Sequence, residues 1–290
     1  MKKIIVFLSA LVLSASFASA QSLENAGNVA NEANTALVNG EYQKAIDGFK
    51  AALEEASQCQ DEKAGELVST CKQAIVMATW SYANNLVKGG DYANALTKID
   101  ETIKLAQENE DGETEMKAGD LKVQVLLAVS NAKIKEAGTA ADPQAKVAAF
   151  KEAAESLDAL IAIDPANGDA YLKKGQVMGN LGKTDAAIEC FMKAKENGMD
   201  RAADQQLSKI YVKEANAKLK AKDYDAAIAA AEKSNEFQEN ANAYKIAGVA
   251  CNSKKDFAGA DKYLSKYLEF NPNDAQIKAA VTAIKAQLKK

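Results

Sequence analysis

The stretch AYLKKGQVMGNLGKTDAAIECFMKAK, residues 170–195, decides how this chain folds. Tyr171, Gly175 and Met178 recur at steps of four and three, and after a break at Gly182-Lys183-Thr184 so do Ala187, Ile188, Phe191 and Ala194. Such steps place each set on one face of a helix. Small residues at Gly175 and Ala187 let two backbones approach, while Tyr171 and Phe191 fill the wider ends. A two-helix hairpin of this size cannot bury its apolar faces alone and needs neighbours of its own kind.

Working outward, the sequence supplies them. GEYQKAIDGFKAAL (40–53) and GDYANALTKIDETI (90–103) repeat the second-helix pattern, and a weaker copy runs over 149–163 with Phe150, Ala153, Leu157 and Leu160. KDYDAAIAAAEKS (222–234) and KDFAGADKYLSKYLEFNPND (255–274) follow, and a Lys-ended helix, 275–288, closes the chain. The Ala anchoring each copy is Ala45, Ala95, Ala153, Ala187, Ala227 and Ala260, at intervals of 50, 58, 34, 40 and 33. The longer early intervals, with stops at Asn39-Gly40, Gly89-Gly90 and Gly138, predict helices of about 20 residues near 65–88 and 115–137, well over the usual length. Residues 138–144 read as a loop, with Asp142-Pro143 a good helix start.

A period near 34 is that of tetratricopeptide repeats. Tyr171, Gly175, Ala187, Phe191 and Ala194 match the order of that motif. Tyr244, Gly248, Ala260, Leu264 and Pro272 match it again, and Tyr211, Ala215, Tyr224, Ala227 and Ala231 match less fully. The chain thus resembles tetratricopeptide repeat proteins, closely over 165–274, less so over 24–110, and weakly over 115–163. The expected fold is an all-α, right-handed α-solenoid of about six antiparallel helix hairpins with a C-terminal capping helix. The expected organisation is a signal peptide at 1–20, irregular long-helix repeats at 21–164, regular repeats at 165–274 and a capping helix at 275–290.

In this family the first helices of successive repeats line a concave groove that binds extended or helical peptides. Alignment on the motif puts Trp80, Asn84, Leu172, Gln176, Val212, Asn216, Lys245 and Val249 on that face. Some members hold a C-terminal carboxylate with a Lys and Asn clamp; here the matching places carry Leu172, Gln176 and Asn242, so that clamp is absent. Trp80 has two readings. With Met77 and Asn84 it forms a face that either packs between the long helices or serves as a groove anchor of the kind favoured at interfaces.

The composition narrows the chemistry. Hydrophobic residues make up 48% and charged residues 26%, a globular balance, with three Pro in 290 residues leaving long stretches free to be helical. Lys2 and Lys3 precede the apolar run Ile4 to Leu13, and Ala18-Ser19-Ala20 offers small residues for a signal peptidase. Export with Gln21 as the mature start is therefore expected, most simply into a bacterial periplasm or to the envelope, with no later span of a membrane. The net charge is −4, and −6 without Lys2 and Lys3, and Arg201 is the single Arg, a poor composition for nucleic acid. There is no His, which removes the commonest general base, the His-paired nucleophiles and most zinc sites. The acidic run 108–115 does not fit a calcium loop and reads as a turn between helices. No cofactor, metal or catalytic set is expected.

Four Cys are present. Cys59 and Cys71 fall at the end of one helix and the start of the next and can close a disulfide across a hairpin. Cys251 reads as core and Cys190 as partly exposed. A thiol-based redox enzyme is the reading from a different class, and lacks a CxxC. The function expected is a non-catalytic scaffold or adaptor binding a protein or peptide partner. Carbohydrate held in the same groove and self-association through the repeat edges are the further options.

Overall fold

The computed structural model describes residues 17–60 and 63–289. The export signal read at 1–20 lies outside them, apart from the backbone of its last four residues. Thirteen helices and no strand occur among the described residues. They are α1 (Phe17–Val38), α2 (Tyr42–Ser57), α3 (Ala64–Gly89), α4 (Tyr92–Glu108), α5 (Gly112–Thr139), α6 (Pro143–Ile163), α7 (Gly168–Asn180), α8 (Thr184–Glu196), α9 (Asp200–Lys220), α10 (Tyr224–Phe237), α11 (Ala241–Ser253), α12 (Phe257–Phe270) and α13 (Ala275–Gln287). This is the all-α solenoid of hairpins that the repeats predict. The long helices are longer than expected, 26 residues in α3 and 28 in α5, so the loop read at 138–144 shrinks to a short link. Asp142 caps α6 with Pro143 in its first turn, as expected.

Two compact units divide inside α5, between Val129 and Ser130. In the first unit α1 packs on α2, α2 on α3 and α3 on α4, and α1 also touches α3. In the second, each helix from α6 to α13 packs on the next, and α9 also touches α11. The change of repeat character at 164/165 therefore does not part compact units. Helix α6 sits with α7, because Phe150, Ala153, Leu157 and Leu160 bury one continuous face.

Local chemistry explains where the helices stop. At seven turns a residue with positive φ ends a helix, and the next amide donates to the carbonyl five residues back. Gly40, Gly90, Gly182 and Gly198 supply the left-handed conformation at no steric cost, while Glu110, Lys222 and Lys255 adopt it despite their Cβ. Side-chain carboxylates or amides then start most of the helices. Asp91, Asp111, Asn167, Asp223, Asp256 and Asp274 each accept an amide N–H of the following turn.

The core is a seam of small residues. All six repeat alanines are fully buried, and large side chains are interleaved among them, chiefly Phe49, Ile46, Ile99, Leu157, Phe191, Leu207 and Leu264. Gly175 lies where a Cβ would meet Phe191 at 2.6 Å, and at Gly248 it would meet Leu264 at 2.5 Å. The backbones are thus as close as the sequence implies. Two hydroxyls interrupt the seam between α9 and α10. Ser208 Oγ and Ser234 Oγ lie 2.9 Å apart, Ser234 Oγ donates to the Ser208 carbonyl at 3.0 Å, and both residues are buried.

Candidate functional site

Alternate helices of the second unit, α7, α9 and α11, are the first helices of three successive hairpins. The sequence-predicted face falls on them unevenly. Gln176 and Asn216 are exposed, and neither side chain is engaged within the described chain. Val212 and Val249 are half-buried, with Val212 packed on the core of α9–α13. Leu172 is only 9% exposed and is a core residue, not a groove contact. Lys245 is half-buried and committed. Its Nζ lies 3.4 Å from Asp274 Oδ2 and 5.0 Å above the Tyr267 ring.

Asp274 is shared more widely. Its Oδ1 accepts the Ile277 amide at 3.1 Å, and Tyr267 Oη donates to Oδ2 at 2.9 Å. The Ile277 amide, then the Tyr267 hydroxyl and Lys245, hold its carboxyl below the usual carboxylate range. Asp111 in the first unit is held down in the same sense, chiefly by Thr114.

Trp80 and Asn84 belong to the first unit. Trp80 is half-buried and packs on the cluster of Ala83, Ile99, Ala118 and Val125. Asn84 Nδ2 donates to the Trp80 carbonyl at 2.8 Å, a local bond one turn back. The first unit also has an open cavity of about 340 Å³ between α1 and α2, lined by Val29, Glu32, Thr35, Asn39 and Lys44 among others.

The thiols correct two expectations. Cys59 and Cys71 are both free, not bridged. Cys71 is buried in the α1–α3 core, while Cys59 Sγ lies 3.4 Å from Ser22 Oγ and from the Glu55 carbonyl. One sulfur faces the interior and the other the helix end. Cys190 is buried, not partly exposed, since the face carrying Phe191 extends over it. Cys251 is core, as read. Burial pushes Cys71 and Cys251 up to about 11, and Cys190 upward as well. At neutral pH these three are protonated, the wrong form for a nucleophile.

One feature of α9 escaped the sequence reading. Arg201, Lys209, Lys213 and Lys220 are all exposed and, with Gln205 and Asn216, lie on one side of the helix. The spacing was legible, at steps of eight, four and seven from Arg201, but reading the lysines as a mixed solvated surface hid it.

Tetratricopeptide repeat profiles match residues 212–275 and 168–197. No curated protein matches the chain in sequence. Among solved structures it is similar to the MamA protein, at 20% identity and a TM-score of 0.35, over 69% of this chain and 94% of that one. It is also similar to PilW, described as a widely conserved type IV pilus biogenesis factor, at 13% identity and 0.35, over 71% and 98%. PilF of Pseudomonas aeruginosa is similar at 14% identity and 0.32, over 93% and 100%.

Proposed function

Since the chain carries tetratricopeptide repeats, we propose that it is a non-catalytic interaction scaffold that binds a peptide or a partner's helix along α7, α9 and α11. Export to a periplasm or cell envelope is part of the same reading, and its support is the Lys2-Lys3 start, the apolar run to Leu13 and the small residues at 18–20. The observation that carries the binding face is the pair Gln176 and Asn216. They occupy the same place on successive first helices and are exposed, with no side-chain bond made among the described residues. Amides displayed in series on preformed helices can take up a peptide backbone at small ordering cost.

The test is affinity capture from an envelope extract, with the wild-type protein beside Gln176→Ala/Asn216→Ala. Changing Trp80, Leu172 or Val212 is a poorer test, because all three pack on cores and their loss confounds binding with folding. A protein captured by the wild type and lost by an equally stable double variant is the expected result. Capture that is indifferent to the variant moves the site off these helices. The scaffold reading fails if no protein is retained.

A further inference from the structure

We propose that the exposed side of α9 is the docking surface for an acidic segment of a partner protein, one rich in Asp and Glu. Helix geometry brings the cations together. At 100° per residue, Arg201, Gln205, Lys209, Lys213, Asn216 and Lys220 fall within an arc of about 120°, and they span roughly 28 Å of axis. The carboxylates of α9 lie outside that arc. Asp204 is taken by Lys195 of α8 at 2.7 Å, and Asp200 and Glu214 point elsewhere around the helix.

The four cations are also unspent. Among the described residues none is in an ion pair, whereas Lys193 and Lys195 of α8 and Lys233 of α10 each hold a carboxylate. Surface lysines commonly pair with neighbours, and a row left without any carboxylate has its charge free for another molecule. The flanking helices leave this to α9. Corresponding places carry Asp169, Lys173, Gln176 and Asn180 on α7, where Lys173 is paired with Asp169, and Asn242, Ile246, Val249 and Ser253 on α11.

Spacing and charge select the occupant. Lys209 and Lys213 stand about 6 Å apart along the axis, close to the repeat of same-side residues in an extended peptide and of i, i+4 residues in a helix. The interleaved amides Gln205 and Asn216 suit a peptide backbone. A long phosphate polymer suits this protein less. Residues 21–129 hold 18 acidic against 9 basic residues, while 130–290 hold 22 against 25. A short acidic segment meets the favourable field of the second unit alone.

This inference rests on the scaffold reading and is separable from it. Fluorescence anisotropy of a labelled Asp/Glu decapeptide is measured against the purified protein, at low and high salt, beside a Gln/Ser decapeptide of equal length. The acidic peptide is expected to bind roughly tenfold or more tightly than the neutral one, and to weaken as salt screens the contact. Lys209→Glu/Lys213→Glu/Lys220→Glu abolishes that preference. Lys72→Glu/Lys151→Glu/Lys183→Glu, which changes net charge equally at exposed sites elsewhere, keeps it. All six side chains are exposed, so both variants are expected to retain wild-type helicity.

Equal loss in both variants reduces the effect to net charge and overturns the proposal. Tighter binding of a single-stranded oligonucleotide hands the face to nucleic acid. Low-salt self-association that is lost in the Lys209 variant hands it to a second copy. A captured protein kept by that variant but lost by Gln176→Ala/Asn216→Ala sinks the acidic segment and leaves the scaffold standing.

Discussion

Ala33 in the first unit and Gly175 in the second hold the same place, each twelve residues before its repeat alanine, Ala45 or Ala187. A buried phenylalanine follows four residues beyond each alanine, Phe49 or Phe191. In the second unit the glycine makes room for the ring directly, since a Cβ there would lie 2.6 Å from Phe191. In the first unit a methyl occupies the place, and the room comes from the other helix. A Cβ on Gly48 of α2 would lie 2.8 Å from Ala33 Cβ. At these two crossings one methyl is missing, and a different helix omits it in each. A motif defined by a glycine on the first helix therefore fits residues 165–274 and fades over 24–110, where α2 carries the glycine instead.

Removing the rings tests this comparison most severely. Phe49→Ala and Phe191→Ala are each expected to destabilise their own unit by about 3–5 kcal/mol. The loss at Phe191 should be the greater, because Gly175 offers no methyl to line the void. Hydrogen exchange resolved by helix separates the two units, and equal losses would contradict the assignment of room to Gly175. Overfilling comes next. Gly248→Ala brings a methyl to within 2.5 Å of Leu264 Cγ and 3.1 Å of the Leu264 backbone nitrogen, and is expected to cost about 2–3 kcal/mol. Gly48→Ala costs about 1–2 kcal/mol. The double change Gly48→Ala/Ala33→Gly recovers most of that by moving the gap across the crossing, which a double-mutant cycle in urea measures. Additive losses would mean that the two residues do not share one gap.

Acid offers a milder contrast. Asp111 opens α5 and Asp274 opens α13, and both carboxyls sit below their ordinary range in the folded state. Their contribution is complete above the unfolded value, about pH 4, and disappears as the pH falls through the lower folded value. Fraying of α13 amides followed by exchange from pH 6 to pH 3 should therefore appear only toward the acid end, and Asp274→Asn should bring it to neutral pH. The smallest effect lies in the turns. Lys222→Gly and Lys255→Gly relieve a side chain held at φ 62° and 65° and should stabilise by about 0.5–1 kcal/mol. Gly40→Ala and Gly90→Ala in the first unit should destabilise by a similar amount, as thermal melts can show.

The solenoid was legible in the sequence because every helix buries a periodic face and because Gly, Asp and Asn mark the ends. The site was legible only in part. Position in the repeat nominated Gln176 and Asn216, which are exposed, and equally Leu172 and Trp80, which pack on neighbours. Periodicity names the side of a helix without telling how far the neighbouring helix covers it. Leu172 lies at the margin of its face and is covered. The Cys59–Cys71 bridge failed for a related reason. Sequence places the two residues at adjoining helix ends, but Cys71 turns into the α1–α3 core while Cys59 stays with Ser22 and Glu55. The α9 cations needed both kinds of knowledge, the spacing from sequence and the absence of partners from structure.

The buried hydroxyls of Ser208 and Ser234 have a consequence for how α9 finds α10. Alanine dominates the seam there, with Ala203, Ala215, Ala227, Ala230 and Ala231 all buried. Alanine surfaces are nearly featureless, so one helix could slide along the other by a turn and lose little apolar contact. A slid pair would bury each hydroxyl against methyls with no acceptor, a penalty of about 1–3 kcal/mol apiece. The two serines thus select the axial alignment of the hairpin more than they strengthen it. Replacing both with alanine should leave a helical pair that has lost its unique alignment.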